Sequence, residues 1–164
     1  MTDAVTYALS RATDDVAETI RWFEAEGFAV VRELGGPKES FGNVLLEFDR
    51  GAVKATIVRD RSQWMIDIAS VGGKPHGLHV WLTAMRGTRA ETRPRRSLGQ
   101  PLADQLPEGE SWRVEVPAVI DWISVGDRSA DIDTAARDWS RAMREYFATQ
   151  RQSPGGQPPG SFGG

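Results

Sequence analysis

The sequence predicts an α+β domain in which an N-terminal helix precedes a four-stranded antiparallel meander and C-terminal helices pack on one face of the sheet. Three observations lead to this fold class: an apolar stripe at helical spacing before residue 27, alternating apolar residues in four runs between residues 28 and 70, and a second helical stripe near the C terminus. Strands grouped together and followed by helices are typical of α+β proteins.

The first predicted helix runs from about Thr13 to Glu26. Val16, Ile20 and Phe23 recur at helical spacing, and Gly27 supplies a stop signal. The first turn is rich in carboxylates, which interact favourably with the positive end of a helix dipole.

Four short runs then alternate with a period of two residues, as strands do. Val44, Leu46 and Phe48 illustrate the alternation, which gives a strand one apolar face. Turn residues separate the runs and favour antiparallel hairpins. The predicted strands are Phe28–Leu34, Phe41–Asp49, Ala52–Arg59 and Trp64–Ser70.

The elements downstream of residue 70 are predicted from apolar stripes and breakers. The apolar run Leu78 to Met85 fits either a strand or a helix, and we favour a strand at its start and a short helix at its end. Leu98 to Leu106 is expected to form one or two helical turns. A helix is expected from Trp112 to Gly126, with Pro117 in its first turn, where a missing amide hydrogen costs nothing. The last helix should span about Ser129 to Thr149.

The length of 164 residues fits one domain. With 40% hydrophobic and 26% charged residues, the composition is that of an ordinary globular protein. We assign residues 1–149 to a single α+β domain. Residues 150–164 are rich in Gly and Pro, and we expect this tail to be disordered.

No set of catalytic residues is recognisable. The chain has no cysteine and only two histidines, His76 and His79, beside a glycine-rich connector and without a suitable third metal ligand. Gly72 to Pro75 has the glycines of a phosphate-binding loop, but the proline removes an amide and blocks helix entry. We therefore expect no enzyme activity, no metal and no cofactor.

The net charge of −3 argues against a nucleic-acid-binding domain, which usually has an excess of Lys and Arg. The arginine-rich arm Arg86–Arg96 is expected to be a solvated loop. No apolar run is long enough to span a membrane, and no secretory signal is evident. These observations favour a cytoplasmic protein, and the absence of cysteine fits a reducing compartment.

Two short motifs resemble those of bacterial polymorphic-toxin immunity proteins. Phe41-Gly42-Asn43 opens a strand, and Arg59-Asp60-Arg61 forms a turn before the aromatic Trp64. The resemblance covers about residues 13–70. It implies a non-catalytic inhibitor that binds a cognate toxin. The motif residues also have a structural interpretation, since Gly42 allows close backbone approach and Asn43 can bond to neighbouring backbone.

The predicted partner is another protein, with a monomer favoured over a homodimer. The candidate partner-binding residues are four motif residues, one carboxylate and two of the six tryptophans. The tryptophans are included because tryptophan is enriched at binding hot spots. Two alternatives remain open: a secretion-chaperone-like module that dimerises through its last helix, or a regulatory domain. The candidates are Asn43, Arg59, Asp60, Arg61, Asp67, Trp81 and Trp112, and Asp104, Glu108 and Glu110 could join Asp67 in mimicking a nucleic-acid substrate.

Overall fold

A computed structural model describes residues 2–36, 42–90, 106 and 109–152 and shows the predicted α+β fold. Along the described part of the chain, two helices precede one antiparallel sheet and three helices follow it. The elements in chain order are α1 (Asp3–Arg11), α2 (Asp14–Ala25), β1 (Ala29–Gly35), β2 (Val44–Asp49), β3 (Val53–Asp60), β4 (Gln63–Ser70), β5 (His76–Gly77), α3 (Leu78–Arg86), α4 (Trp112–Ser124) and α5 (Ser129–Gln152).

The sheet is a meander of order β1-β2-β3-β4-β5, with every neighbouring pair antiparallel. The four predicted strands are confirmed, except that the second begins at Val44 and not at Phe41: Gly42 and Asn43 precede the strand, and Phe41 lies outside the described residues. Among the described strands, the two-residue β5 was not predicted. A bulge between Val30 and Arg32 shifts the register of β1 against β2.

The N terminus forms a helix that the sequence interpretation missed. In α1, Ala4, Val5 and Ala8 are buried, and the Thr2 hydroxyl accepts a hydrogen bond from the Val5 amide at 3.3 Å. The helix is only nine residues long and its buried residues are small, so no large apolar side chain marks its buried face in the sequence.

The expected strand at the start of Leu78–Met85 is wrong. The strand is confined to His76–Gly77, and α3 is helical from Leu78 onwards. Leu78, Val80, Trp81 and Leu82 are all buried. Val80, Trp81 and Leu82 are consecutive in a short apolar run, and such a run fits a buried strand as well as a helix, so the sequence did not distinguish the two.

Two helix details also differ from the sequence expectation. Pro117 lies inside α4, five residues after Trp112, and not in the first turn, so the bond that its amide would donate to the Arg113 carbonyl is missing. Helix α5 continues to Gln152, which places residues 150–152 of the expected tail in a helix. Residues 153–164 and the expected turns in Leu98–Leu106, apart from residue 106, lie outside the described residues.

The core lies between the helices and one face of the sheet, which we call the covered face. Its strand residues are alternate positions of β2, β3 and β4, with almost no exposed surface. Phe23 of α2 stacks on Phe48 at 4.7 Å between ring centroids. The covered face comprises Val44, Leu46, Phe48, Val53, Ala55, Ile57, Trp64, Ile66 and Ile68.

Polar groups connect the helices to one another and to the sheet. The Asp15 carboxylate accepts the amides of Trp112 at 2.8 Å and Arg113 at 3.0 Å, so α2 caps the start of α4. The Trp81 indole donates to the Ile68 carbonyl at 2.7 Å. These bonds fix the helices across segments that are distant in sequence.

Arg86, the last residue of α3 and the first of the arginine-rich arm, connects α3 to α4 and to the segment just before α4. Its guanidinium contacts Glu110 at 2.7 Å and Glu115 at 2.9 Å. The first arm residue therefore has a structural role. The rest of the arm beyond Ala90 lies outside the described residues.

Candidate functional site

The side of the sheet opposite the core is a candidate binding surface, which we call the open face. Its side chains are exposed or half-buried in the described structure, in contrast to the covered face. Cross-strand pairing assigns the residues, because directly paired positions project from the same side. The open face comprises Ala29, Arg32, Leu34, Leu45, Glu47, Asp49, Lys54, Thr56, Val58, Asp60, Gln63, Met65, Asp67 and Ala69.

Four apolar residues form a continuous row across the open face. Leu34 pairs with Leu45, Leu45 with Val58, and Val58 with Met65. With strands about 4.8 Å apart, the row is about 14 Å long. Leu34 is 54% exposed and Met65 is 40% exposed. We call Leu34, Leu45, Val58 and Met65 the apolar row.

A polar row runs beside the apolar row. Arg32 pairs with Glu47, Glu47 with Thr56, and Thr56 with Asp67. Arg32 and Asp67, at the two ends, are exposed. An apolar centre bordered by charged groups is the usual composition of a protein-binding surface.

A third row contains a local ion pair. The Lys54 ammonium lies 3.1 Å from the Asp49 carboxylate, which also accepts the Gly51 amide at 2.7 Å. The Gly51 amide, followed by Lys54, holds the pKa of Asp49 below its usual value. Asp49 therefore stabilises the β2–β3 turn and is already paired, which leaves Glu47, Asp60 and Asp67 as the open-face carboxylates without an ion pair among the described residues.

The β3–β4 turn borders the other side of the apolar row. Asp60 follows Val58 by two residues on the same face and pairs with Gln63. Arg61 and Ser62 have φ values of 47° and 72°, a backbone conformation that residues other than glycine rarely adopt. Two positive values in succession are typical of a type I′ hairpin, which usually contains Asn-Gly.

Asn43 and Arg59 connect this turn to the start of β2. The Asn43 side-chain oxygen accepts the Arg61 amide at 3.4 Å. The Arg59 guanidinium donates to the Gly42 carbonyl and, at 3.3 Å, to the Ser62 hydroxyl. Gly42 has φ 65°, and a Cβ there would lie 3.0 Å from Arg59. The structural interpretation of Gly42 and Asn43 therefore agrees with their contacts.

The structure brings together only part of the predicted binding set. Asp60, Arg61 and Asp67 are exposed around the apolar row, whereas Asn43 and Arg59 make the turn contacts described above. Trp81 and Trp112 are 0% exposed, so we assign both to the core and exclude them from the surface. Their indole rings contribute packing area instead.

The predicted carboxylate surface does not form as a group. Glu110 is paired with Arg86 in the connection between α3 and α4, and Asp67 lies on the open face. Asp104 and Glu108 lie outside the described residues.

The apolar row was not predicted from the sequence. Its signal was present: Leu45, Val58 and Met65 occupy the strand positions that alternate with the core, where polar residues are expected. The sequence pattern alone does not show that these residues lie side by side, because that depends on strand register.

His79 lies at the β5 edge, next to the end of the polar row. Its ring packs edge-on against Trp139 at 4.6 Å between centroids, and its Nδ1 is buried without a hydrogen-bond partner among the described residues. Burial lowers the pKa of His79, although the nearby Asp67 carboxylate acts in the opposite direction. Within the described ranges, no three His, Cys, Asp or Glu side chains are placed to hold a metal ion.

Comparisons with known proteins identify no relative. No protein-family model matches the chain, and no curated protein or solved structure matches it. Among the helices in the described part of the chain, none combines the length and apolar character needed to cross a membrane. The open face is therefore interpreted from its own chemistry.

Proposed function

We propose that this chain is a non-catalytic, cytoplasmic inhibitor of the immunity type, which binds and neutralises a cognate bacterial toxin through the open face. The apolar row is the observation that carries the proposal. Contact with a partner would remove the exposed Leu34 and Met65 side chains from water, which favours association by about 25 cal/mol per Å² of apolar surface.

The charged groups around the row define the chemistry of the partner. Glu47, Asp60 and Asp67 border the apolar row, against Arg32 and Arg61. A partner with apolar side chains at the centre and basic groups facing Asp60 and Asp67 would complement this surface. The immunity-like motifs lie within residues 13–70, the same part of the chain that forms β1 to β4.

A direct test uses the product of the neighbouring gene as the candidate toxin. Co-expression and co-purification with this chain should give a stoichiometric complex and protect cells from that toxin. Val58→Asp should abolish both, because it places a charge in the apolar row. Val125→Asp is the matched control, since Val125 is 76% exposed and lies after α4, outside the row.

Both variants must first unfold at similar temperatures, so that loss of binding is distinguished from loss of folding. Absence of a complex, or equal killing of cells with and without this chain, would rule out the immunity function. Full protection by Val58→Asp would show that the open face is not the toxin-binding surface.

Helix α5 favours a second candidate, the secretion-chaperone-like module. The α5 residues that join the core end at Trp139, while Phe147 further along is 49% exposed. A module of this type would dimerise through that helix. Light scattering at micromolar concentration separates the two, because a monomer contradicts the chaperone-like interpretation.

A further inference from the structure

A second concave surface lies apart from the open face, between α5 and the β4–β5 connection. The cavity has a volume of about 1300 Å³ and is open to solvent. Gly72, Gly73 and Lys74 form one side, α5 forms the other, and residues at the end of α3 complete it. We call this cavity the basic groove.

Three arginines of α5 line the basic groove. Arg137, Arg141 and Arg144 are separated by four and three residues, which places them in one stripe on the helix surface. All three are exposed. Lys74 faces the groove from the β4–β5 connection, and Arg89 contributes from the segment after α3.

The groove has the opposite charge balance to the chain as a whole. Its lining contains those five cationic side chains and three carboxylates, whereas the whole chain has a net charge of −3. One of the carboxylates, Asp138, is already engaged by the Ala90 amide at 2.8 Å and by Arg141. The Ala90 amide, followed by Arg141 and Arg89, holds the pKa of Asp138 below its usual value.

Several of the groove cations are available to a ligand. In the part of the chain that the structure describes, Lys74, Arg137 and Arg144 form no ion pair. Among the described residues, Arg137 donates only to the Thr134 hydroxyl, at 3.2 Å. A local cluster of unpaired cations attracts anionic groups and increases their local concentration.

We infer that the basic groove binds an acidic peptide segment of another protein. Its volume exceeds the roughly 300–1,000 Å³ typical of small-molecule pockets, and its cations are spread along α5. A chain of carboxylates can pair with such a series, whereas a single small anion would use only part of it. The groove residues differ from those of the open face, so this inference is independent of the proposed toxin binding.

The lining favours a peptide over a single-stranded nucleic acid. Nucleic-acid channels combine basic groups with aromatic rings on which bases stack. The described lining contains no Phe, Tyr or Trp, and His76 is its only ring. Carboxylates need only the cations of the groove.

The test is a fluorescence anisotropy titration of the full chain with a labelled Glu-Gly repeat peptide. A Gln-Gly peptide of the same length is the ligand control. We expect the acidic peptide to bind, with an affinity that falls as salt is added. The neutral peptide should not bind.

Variants then locate the site. Arg137→Glu with Arg144→Glu should weaken binding of the acidic peptide about tenfold or more, because attraction becomes repulsion at two positions. Arg11→Glu with Arg21→Glu changes the net charge equally on exposed positions of α1 and α2 and should bind as the parent chain does. Lys74→Glu, on the opposite wall, provides an independent test if the α5 variant fails to fold.

Three results would overturn the inference: no binding of the acidic peptide, equal loss in the groove and control variants, or tighter binding of a labelled single-stranded oligonucleotide that the groove variant abolishes. Failure of toxin binding in the earlier experiment would leave this result unaffected. Conversely, the Val58→Asp variant should bind the acidic peptide normally.

Discussion

The two faces of the sheet differ although the same strands form them. On the covered face, Leu46 and Ile57 are completely buried by the helices. On the open face, their sequence neighbours Leu45 and Val58 are also apolar but remain partly exposed. Apolar residues therefore have two roles in this sheet. One set stabilises the fold, and the other is available to a partner.

The largest expected contrast between the faces is in stability. Ile57→Ala should lower the free energy of unfolding by about 2–5 kcal/mol, because it removes buried methyl groups and leaves a cavity. Val58→Ala should cost less than about 1 kcal/mol, because its side chain is only half-buried. Urea denaturation measures both. Equal losses would mean that the open face is packed as tightly as the covered face.

The helices on the covered side depend on a polar connection between α2 and α4. Asp15→Ala should lower the free energy of unfolding by about 1–2 kcal/mol, because the amides of Trp112 and Arg113 lose their acceptor. Asp14→Ala is the matched control and should change stability by less than about 0.5 kcal/mol, since Asp14 is exposed. If the two variants unfold alike, the cap does not stabilise α4.

His79, which lies at the start of α3 beside β5, should make the free energy of unfolding depend on pH. His79 has a lowered pKa in the folded chain, so between its unfolded value near 6.5 and the lower folded value only the unfolded chain gains the proton. The free energy of unfolding should therefore fall as pH decreases through this window, by at most about 1.4 kcal/mol per pH unit.

Denaturation at several pH values checks this dependence. His79→Gln should remove the part of the slope that His79 causes, while His76→Gln should retain it. An unchanged slope in His79→Gln would assign the pH dependence to other groups.

The smallest expected effect concerns the turn at the end of the open face. Arg61→Asn together with Ser62→Gly should raise the free energy of unfolding by about 1 kcal/mol, since these residues suit two positive φ angles. Ser62→Ala is the control, because it keeps the unfavourable conformation and should give no gain. Thermal unfolding distinguishes them, and no gain in the double variant would show that the turn is unstrained.

The sheet was predictable because its information is local. Alternation in β2, β3 and β4 and the short turns between them identify strands, covered face and antiparallel order without reference to distant residues. Helix α3 was not predictable, because its short run of consecutive apolar residues fits a buried strand as well as a helix. The cap from Asp15 to α4 was also unpredictable, since it joins residues 97 positions apart.

The candidate site likewise combines features that the sequence predicted with features that only the tertiary structure revealed. The sequence was sufficient to identify Asp60, Arg61 and Asp67 as polar groups on or near strands, and the alternation that separates core from surface positions. Only the tertiary structure aligned Leu34, Leu45, Val58 and Met65 into one row, removed Trp81 and Trp112 from the surface, and brought Lys74 to the groove that α5 lines. The reason is that side-chain direction follows from local backbone geometry, whereas adjacency depends on register and on packing between segments far apart in the chain.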